Sequence, residues 1–339
     1  MCSYLSSISL IRYLLVWRVN GSLVRLPRCL SAELSSVLGA IITKRLPTNE
    51  TRRWRKALVP SGDTASPSFP NPWPIDAILF AYPGKRTYGQ GEFVLWELKL
   101  IGESADHGLF LELILPAMEE ASYTSEPQWN RPNKLWGRFD IHSVYVARGP
   151  HWEPLVSDGR LDLRYRASPV QWAEGLTFGS ELTGLKFSKP TRLIWLASFD
   201  LSKESDGKDN TEGKVRAKRA PSIQVPALRH ILEALMDRMR VLRPDLRNVP
   251  DNAWHIVPVE EQPSIQDAME QADNVPIVHK DIKRVPKDWP GRWTGTQIFS
   301  YIPPPIIPYL ELASILHIGR HTHFGCGTFA LIRSTSDLV

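Results

Sequence analysis

Apolar runs alternate along this chain in an order that few folds accept: strand, helix, strand, strand, helix, strand, and then the same order again. In the first half, residues 11–19 form an aromatic and β-branched run that reads as a strand, and residues 30–45 follow with Leu30, Leu34, Val37, Leu38, Ile41 and Ile42 at helical spacing. Ser31 stands at the N-cap of that helix, with Leu34 where a capping box wants Glu. Residues 47–74, rich in Pro, Ser, Thr and Arg, read as a loop. Strands follow at 75–81, with Asp76 its only charge, and at 91–101, where Glu97 and Lys99 alternate with Trp96, Leu98 and Leu100. A helix at 109–121 and a strand at 138–147 complete a β-α-β-β-α-β unit.

The second half repeats the order: strand 192–198, helix 226–242, strands 253–259 and 292–302, helix 305–316 and strand 328–332. On the first of these helices Leu228, Ile231, Leu232, Leu235, Met236, Met239 and Leu242 share one apolar face, while Arg229, Glu233, Asp237 and Arg240 share the polar one. The predicted fold class is α+β, with two tandem ferredoxin-like (RRM-like) domains. The boundaries read as 1–150 for the first, 151–190 for a connecting segment and 191–339 for the second. A length of 339 residues agrees, at roughly 150 residues per domain.

Composition excludes several classes. At 42% hydrophobic and 23% charged residues the chain can bury a sizeable core, so wholesale disorder, a collagen-like repeat and a disulfide-stapled mini-domain are ruled out. Cys2, Cys29 and Cys326 are odd in number, scattered and without a CxxC pair, so no disulfide framework or zinc ribbon is legible and a reducing cytoplasm is the expectation. Arg12 interrupts the moderately apolar stretch 4–17, and no run approaches the roughly 20 apolar residues of a membrane span. The chain therefore reads as soluble, cytoplasmic and without a membrane partner. Its net charge of +5 permits a polyanionic partner without establishing one.

The densest signal lies near the C-terminus, in Leu316-His-Ile-Gly-Arg-His-Thr-His-Phe-Gly-Cys-Gly-Thr-Phe329. Gly319, Gly325 and Gly327 sit between a predicted helix and a predicted edge strand, where glycine permits positive φ and close approach of the backbone to a ligand. Exposed N–H groups of such a loop can cup phosphate oxygens, and Arg320 adds a cation with no acid between Leu312 and Thr335. The same glycines also suit a plain turn.

This stretch, with Trp293-Thr-Gly-Thr-Gln-Ile-Phe-Ser-Tyr301 ahead of it, resembles the C-terminal domain of the CRISPR-associated RAMP endoribonucleases, which process repeat RNA. Their loop runs His-Ile-Gly-Lys-x-Thr-x-Phe-Gly-Leu-Gly. Gly295, His317, Ile318, Gly319, Thr322, Phe324, Gly325 and Gly327 match it, while Arg320 replaces Lys and Cys326 replaces Leu. Phe93-Val-Leu-Trp-Glu-Leu-Lys-Leu-Ile-Gly102 looks like the family's strand and Leu-Ile-Gly segment. The resemblance implies RNA held between two ferredoxin-like domains. It also implies metal-free cleavage in which the ribose 2′-OH attacks the adjacent phosphate, leaving a 2′,3′-cyclic phosphate and a free 5′-OH. No cofactor is implied. The partners implied are CRISPR repeat RNA and proteins of a CRISPR effector complex.

One departure stands out. Many members carry a histidine on or just after the first helix, and residues 1–106 here contain none. The matching region offers Lys44 and Arg45 at the helix end and Tyr13 on the preceding strand. His321 and His323 in the glycine loop are the histidines that can stand in as acid or base, since imidazole titrates near 6.5. The candidate catalytic residues are therefore His321, His323, Lys44 and Tyr13. The candidate RNA contacts are Gly319, Arg320, Thr322, Gly325 and Gly327, joined by the cluster Arg45, Arg52, Arg53, Arg55 and Lys56 around Trp54. A second basic run ends at residues 214–219. His317 reads as structural. His317, His321, His323 and Cys326 have the residue types of a zinc site, but no second Cys or carboxylate joins them and no metal is expected. Trp17, Trp96 and Trp195 read as core, and Trp289 and Trp293 as either core or base-stacking residues. Two functions stay open: an endoribonuclease, or a RAMP-fold subunit that binds repeat RNA without cutting.

Overall fold

The computed structural model describes residues 5, 7–58, 71–123, 135, 137–176, 190–202, 225–243, 257–287 and 289–333. In chain order the first half comprises β1 (Leu10–Val19), β2 (Leu23–Arg25), α1 (Leu30–Arg45), α2 (Thr48–Leu58), β3 (Ala77–Ala81), β4 (Thr87–Gly89) and β5 (Phe93–Ile101). Then α3 (His107–Leu109) runs through a π-helical turn (Phe110–Ile114) into α4 (Leu115–Tyr123), followed by β6 (Phe139–Arg148), β7 (His151–Ser157) and β8 (Arg160–Leu161). The second half comprises β9 (Pro190–Trp195), α5 (Leu228–Leu242), α6 (Gln262–Asp273), β10 (Ile277–Arg284), β11 (Trp293–Phe299), α7 (Ile307–Leu316) and β12 (Phe329–Arg333).

The two sheets have the same topology. The first is ordered β3-β5-β1-β6-β7-β8 and the second β10-β11-β9-β12, with antiparallel neighbours throughout. In each, the first and third principal strands are central, the order of the ferredoxin-like unit. The fold is thus the tandem ferredoxin-like α+β arrangement.

Three local readings are corrected. Residues 48–58, read as loop, form α2, because Thr51 and Trp54 lie one turn apart and both are buried while the cations between them face out. The crossover after β9 carries a second helix, α6, on which Ile265, Ala268, Met269 and Ala272 are buried at helical spacing. Of the predicted strand 253–259, residues 253–256 lie outside the described residues and 257–259 are bend and turn; β10 occupies that place in the sheet. β10 is an edge strand with only Ile282 buried, so it lacks the apolar alternation by which strands are recognised. Residues 151–161 extend the first sheet as β7 and β8.

Two apolar cores result. One fills the space between the first sheet and α1 and α4. The other belongs to the second domain but also takes in Leu5, Ile8, Leu10, Ile78 and Ile101 from the first, with Trp172 between them donating from Nε1 to the Ile8 carbonyl at 3.0 Å. Burial of that shared apolar surface joins the domains.

Candidate nucleic-acid interface

The glycine loop starts where α7 ends. His317 and His321 both adopt φ of +58°, and Thr322–Phe324 make one 3-10 turn before Gly325 and Gly327 at +77° and +78°. A Cβ at Gly325 would lie 2.8 Å from the Leu79 carbonyl oxygen and from Phe80 Cα, and one at Gly327 would lie 1.8 Å from the Ile318 oxygen. The glycines are required so that the loop can lie against β3 of the first domain and against itself.

The loop amides are largely engaged inside the protein. Ile318 donates to Gly327 O (3.1 Å), Arg320 to Asp200 O (2.9 Å), Gly325 to Thr322 O (2.7 Å) and Gly327 to Ser198 O (2.9 Å). This corrects the reading of Gly325 and Gly327 as a phosphate cup, since their N–H groups are buried and already paired. Gly319 is exposed and Arg320 half-buried, so the loop presents that end outward.

A buried polar chain fastens the loop to the first sheet. Lys99 Nζ donates to Ile315 O at 2.6 Å and lies 2.9 Å from His317 Nε2. His317 Nδ1 faces the carbonyls of Gly325 (3.1 Å) and Cys326 (3.2 Å), which requires a proton on Nδ1 and leaves Nε2 to accept from Lys99. Glu97 stands 3.8 Å from Lys99 and accepts from Arg12 at 2.6 Å and from Tyr82 at 3.3 Å. Burial lowers Lys99 to about 7, and burial next to Lys99 holds His317 well below its ordinary value.

His321 and His323 have ring centroids 6.2 Å apart. Burial lowers both: His323 to about 4, with His321 and Arg238 adding repulsion, and His321 with Arg320 adding to the same direction. Both imidazoles are therefore neutral at pH 7, suited to accept a proton. His323 and Thr322 line a cavity of about 330 Å³ between the domains, together with Trp73, Asp76, Glu103 and Arg238. Arg238, on α5, donates from Nε to Leu316 O at 3.2 Å, and burial lowers its guanidinium to about 10.

Other candidates lie elsewhere. Tyr13 is fully buried, its hydroxyl 3.0 Å from His107 Nδ1 and its ring stacked on Phe110 at 3.8 Å, so it is a core residue and not a catalytic one. Lys44 and Arg45 end α1, whose opposite end meets the loop region, where Ser31 Oγ accepts from the Ala81 amide. At 1.5 Å per residue Lys44 lies about 20 Å along the helix from that contact. Ser31 is thus not the N-cap; Cys29 holds that position without a side-chain cap. Arg45 pairs with Glu120 at 2.9 Å. Arg52, Arg53, Arg55 and Lys56 form the exposed face of α2. Trp54, read as a stacking residue among them, packs at 5.5 Å against Trp73, whose Nε1 donates to Ser35 O. α2 is therefore braced against the residue that walls the histidine cavity. Arg229 pairs with Glu233 at i,i+4 as its spacing predicts. Trp17, Trp96, Trp195 and Trp293 are core. The 214–219 run lies outside the described residues.

Lys99, Arg238, Asp76, Glu103 and Trp73 escaped the sequence reading. Lys99 and Glu97 alternate with apolar residues as solvent-facing charges do, yet both are buried and Lys99 is held by Ile315 O and His317 of the second domain. Among the described residues no group of three or more His, Cys, Asp or Glu is placed to hold a metal, and no helix is long and apolar enough to cross a membrane.

No family model and no curated protein matches this chain. Among solved structures it is similar to a chain of a partial Cas6-RT-Cas1–Cas2 complex, with TM-score 0.54 and 13% identity over 97% of its own length. It spans 46% of that longer chain, less than half. Thermus thermophilus Cas6 gives TM-score 0.43 at 13% identity, covering 96% of this chain and 99% of that one. A RAMP protein described as binding different RNA substrates gives 0.38 at 12%, over 95% and 100%. The likeness to the first of these is one of fold, the tandem ferredoxin-like arrangement described above.

Proposed function

We propose that this protein binds CRISPR repeat RNA between its two domains and cuts it without metal, by attack of a ribose 2′-OH on the adjacent phosphate. The observation that carries the reading is the placement of His321 and His323 on a loop fastened to both domains, with His323 and Arg238 in one inter-domain cavity. A neutral His323 is suited to take the 2′-OH proton, and Arg238 and Arg320 to offset charge on the phosphorane. The attack forms the 2′,3′-cyclic phosphate, and the leaving 5′-oxygen takes up a proton to end as 5′-OH. The exposed cations of α2, with Arg45 and Lys44, extend the path for the RNA backbone. Retention of the product and assembly with CRISPR effector proteins belong to the same reading.

A second reading, binding without cleavage, is favoured by two features: the amides of Gly325 and Gly327 are unavailable to a phosphate, and α1 carries no histidine. Repeat RNA incubated in EDTA, beside RNA carrying a 2′-deoxy at the cut site, separates the two. Cleavage of the first alone is expected; tight binding with no cleavage of either selects the second reading, and no binding removes both.

A further inference from the structure

The proposed chemistry leaves the open face of the first sheet unused. Strand register puts Leu10, Arg12, Leu14, Val16 and Arg18 of β1 on this face beside Ile101, Lys99, Glu97, Leu95 and Phe93 of β5, with Ile78 and Phe80 of β3 next to Lys99 and Glu97. Along the strands the face changes in three steps. At one end Leu10, Ile78 and Ile101 are buried in the core of the second domain. In the middle lies the polar belt of Arg12, Glu97 and Lys99. At the other end the side chains join neither core, and Phe93 (46%), Leu95 (41%) and Tyr82 (37%) are exposed to solvent.

Rings lead from the glycine loop to this open end. Phe80 meets His317 edge-on at 5.6 Å and Tyr82 at 4.8 Å. Tyr82 then neighbours Leu95, to whose carbonyl its amide donates. Phe93 stacks on His142 at 4.9 Å, and the register between β1 and β6 skips His142, so that residue sits at a β-bulge. Two cations border the patch: Arg18, which approaches Asp140 only to 3.7 Å, and the exposed Arg138.

We infer that this face is a stacking platform for single-stranded RNA, carrying a segment away from the glycine loop over Tyr82, Phe93 and His142, with Arg18 and Arg138 on its phosphates. The inference rests on the RNA-binding reading above. Solvent-facing rings beside cations suit bases and phosphates together, because every base has a face to stack. A protein partner would favour a surface depleted of charge at its centre, whereas here the rings run directly into the charged inter-domain belt.

The test uses the full chain and a 5′-fluorescein-labelled 20-nucleotide oligouridylate, followed by anisotropy at one fixed salt concentration. Phe93→Ala and Tyr82→Ala should each weaken binding about five-fold or more, and ultraviolet cross-linking should attach the wild-type protein to the RNA through this face. Leu163→Ala, at an exposed apolar residue elsewhere, should bind as wild type. Wild-type affinity in both aromatic variants overturns the platform and leaves the RNA reading standing. Failure of the wild type to bind any RNA, repeat RNA included, overturns both. Concentration-dependent self-association that Phe93→Ala abolishes, with RNA affinity unchanged, assigns the face to a protein contact and likewise overturns the proposal.

Discussion

Lys99 shows how one residue couples two domains. It sits on a central strand of the first sheet, yet its ammonium is satisfied by Ile315 O and His317 in the second domain. Burial lowers it to about 7 from the ordinary 10.5 of an unfolded chain. Between those values the unfolded chain binds the extra proton, so this group makes stability rise with pH over roughly pH 7 to 10.5. His317, held low, acts with the same sign below pH 6.5, where the unfolded imidazole takes a proton that the folded one does not. Thermal melts from pH 7 to 9.5 should show wild-type stability gaining on Lys99→Met by up to about 1.4 kcal/mol per pH unit. A constant difference between the two proteins across that range would contradict the assignment. At this scale the sequence was partly legible. The loop histidines are visible in a motif, but Lys99 of the first domain and Arg238 of the second become significant only once the two domains meet. Tyr13 failed as a catalytic candidate because β1 turns it into the core, toward Phe110.

The glycine loop is the element that positions the site, and its glycines serve packing more than ligand contact. Gly325 leaves no room for a methyl group against Leu79 and Phe80, whereas Gly159, also at positive φ, faces open space. Gly159→Ala should therefore cost about 1–2 kcal/mol, the strain of the left-handed backbone alone. Gly325→Ala should cost clearly more, because β3 or the loop must also shift. Chemical denaturation of both variants checks this, and equal losses would show that the loop does not bear on β3. The principal strands and helices of both domains were legible because each alternates or repeats against a core. α2 and β10 were not: α2 buries only one turn of itself, and β10 is an edge with little to bury. α6 carries a readable apolar stripe, yet its place in the crossover conflicts with a single-helix β-α-β-β-α-β template.

At the scale of the whole molecule, two ferredoxin-like units share one apolar core and one polar belt, and the candidate site lies where they meet. Around that junction lie the cations of α2, Arg238 and Arg320, together with the acids Asp76 and Glu103. At this junction the proposed base for metal-free RNA cleavage is a neutral, half-buried His323. The most direct measurement is the single-turnover rate of repeat-RNA cleavage in EDTA as a function of pH, for the wild type and for His323→Ala. With burial holding His323 at about 4, the wild-type rate should stay level from pH 8 to about 5 and fall only near 4, and the variant should lose most activity throughout. A wild-type rate that declines below an ordinary histidine value of about 6.5, or a variant that cuts as fast as the wild type, would contradict it.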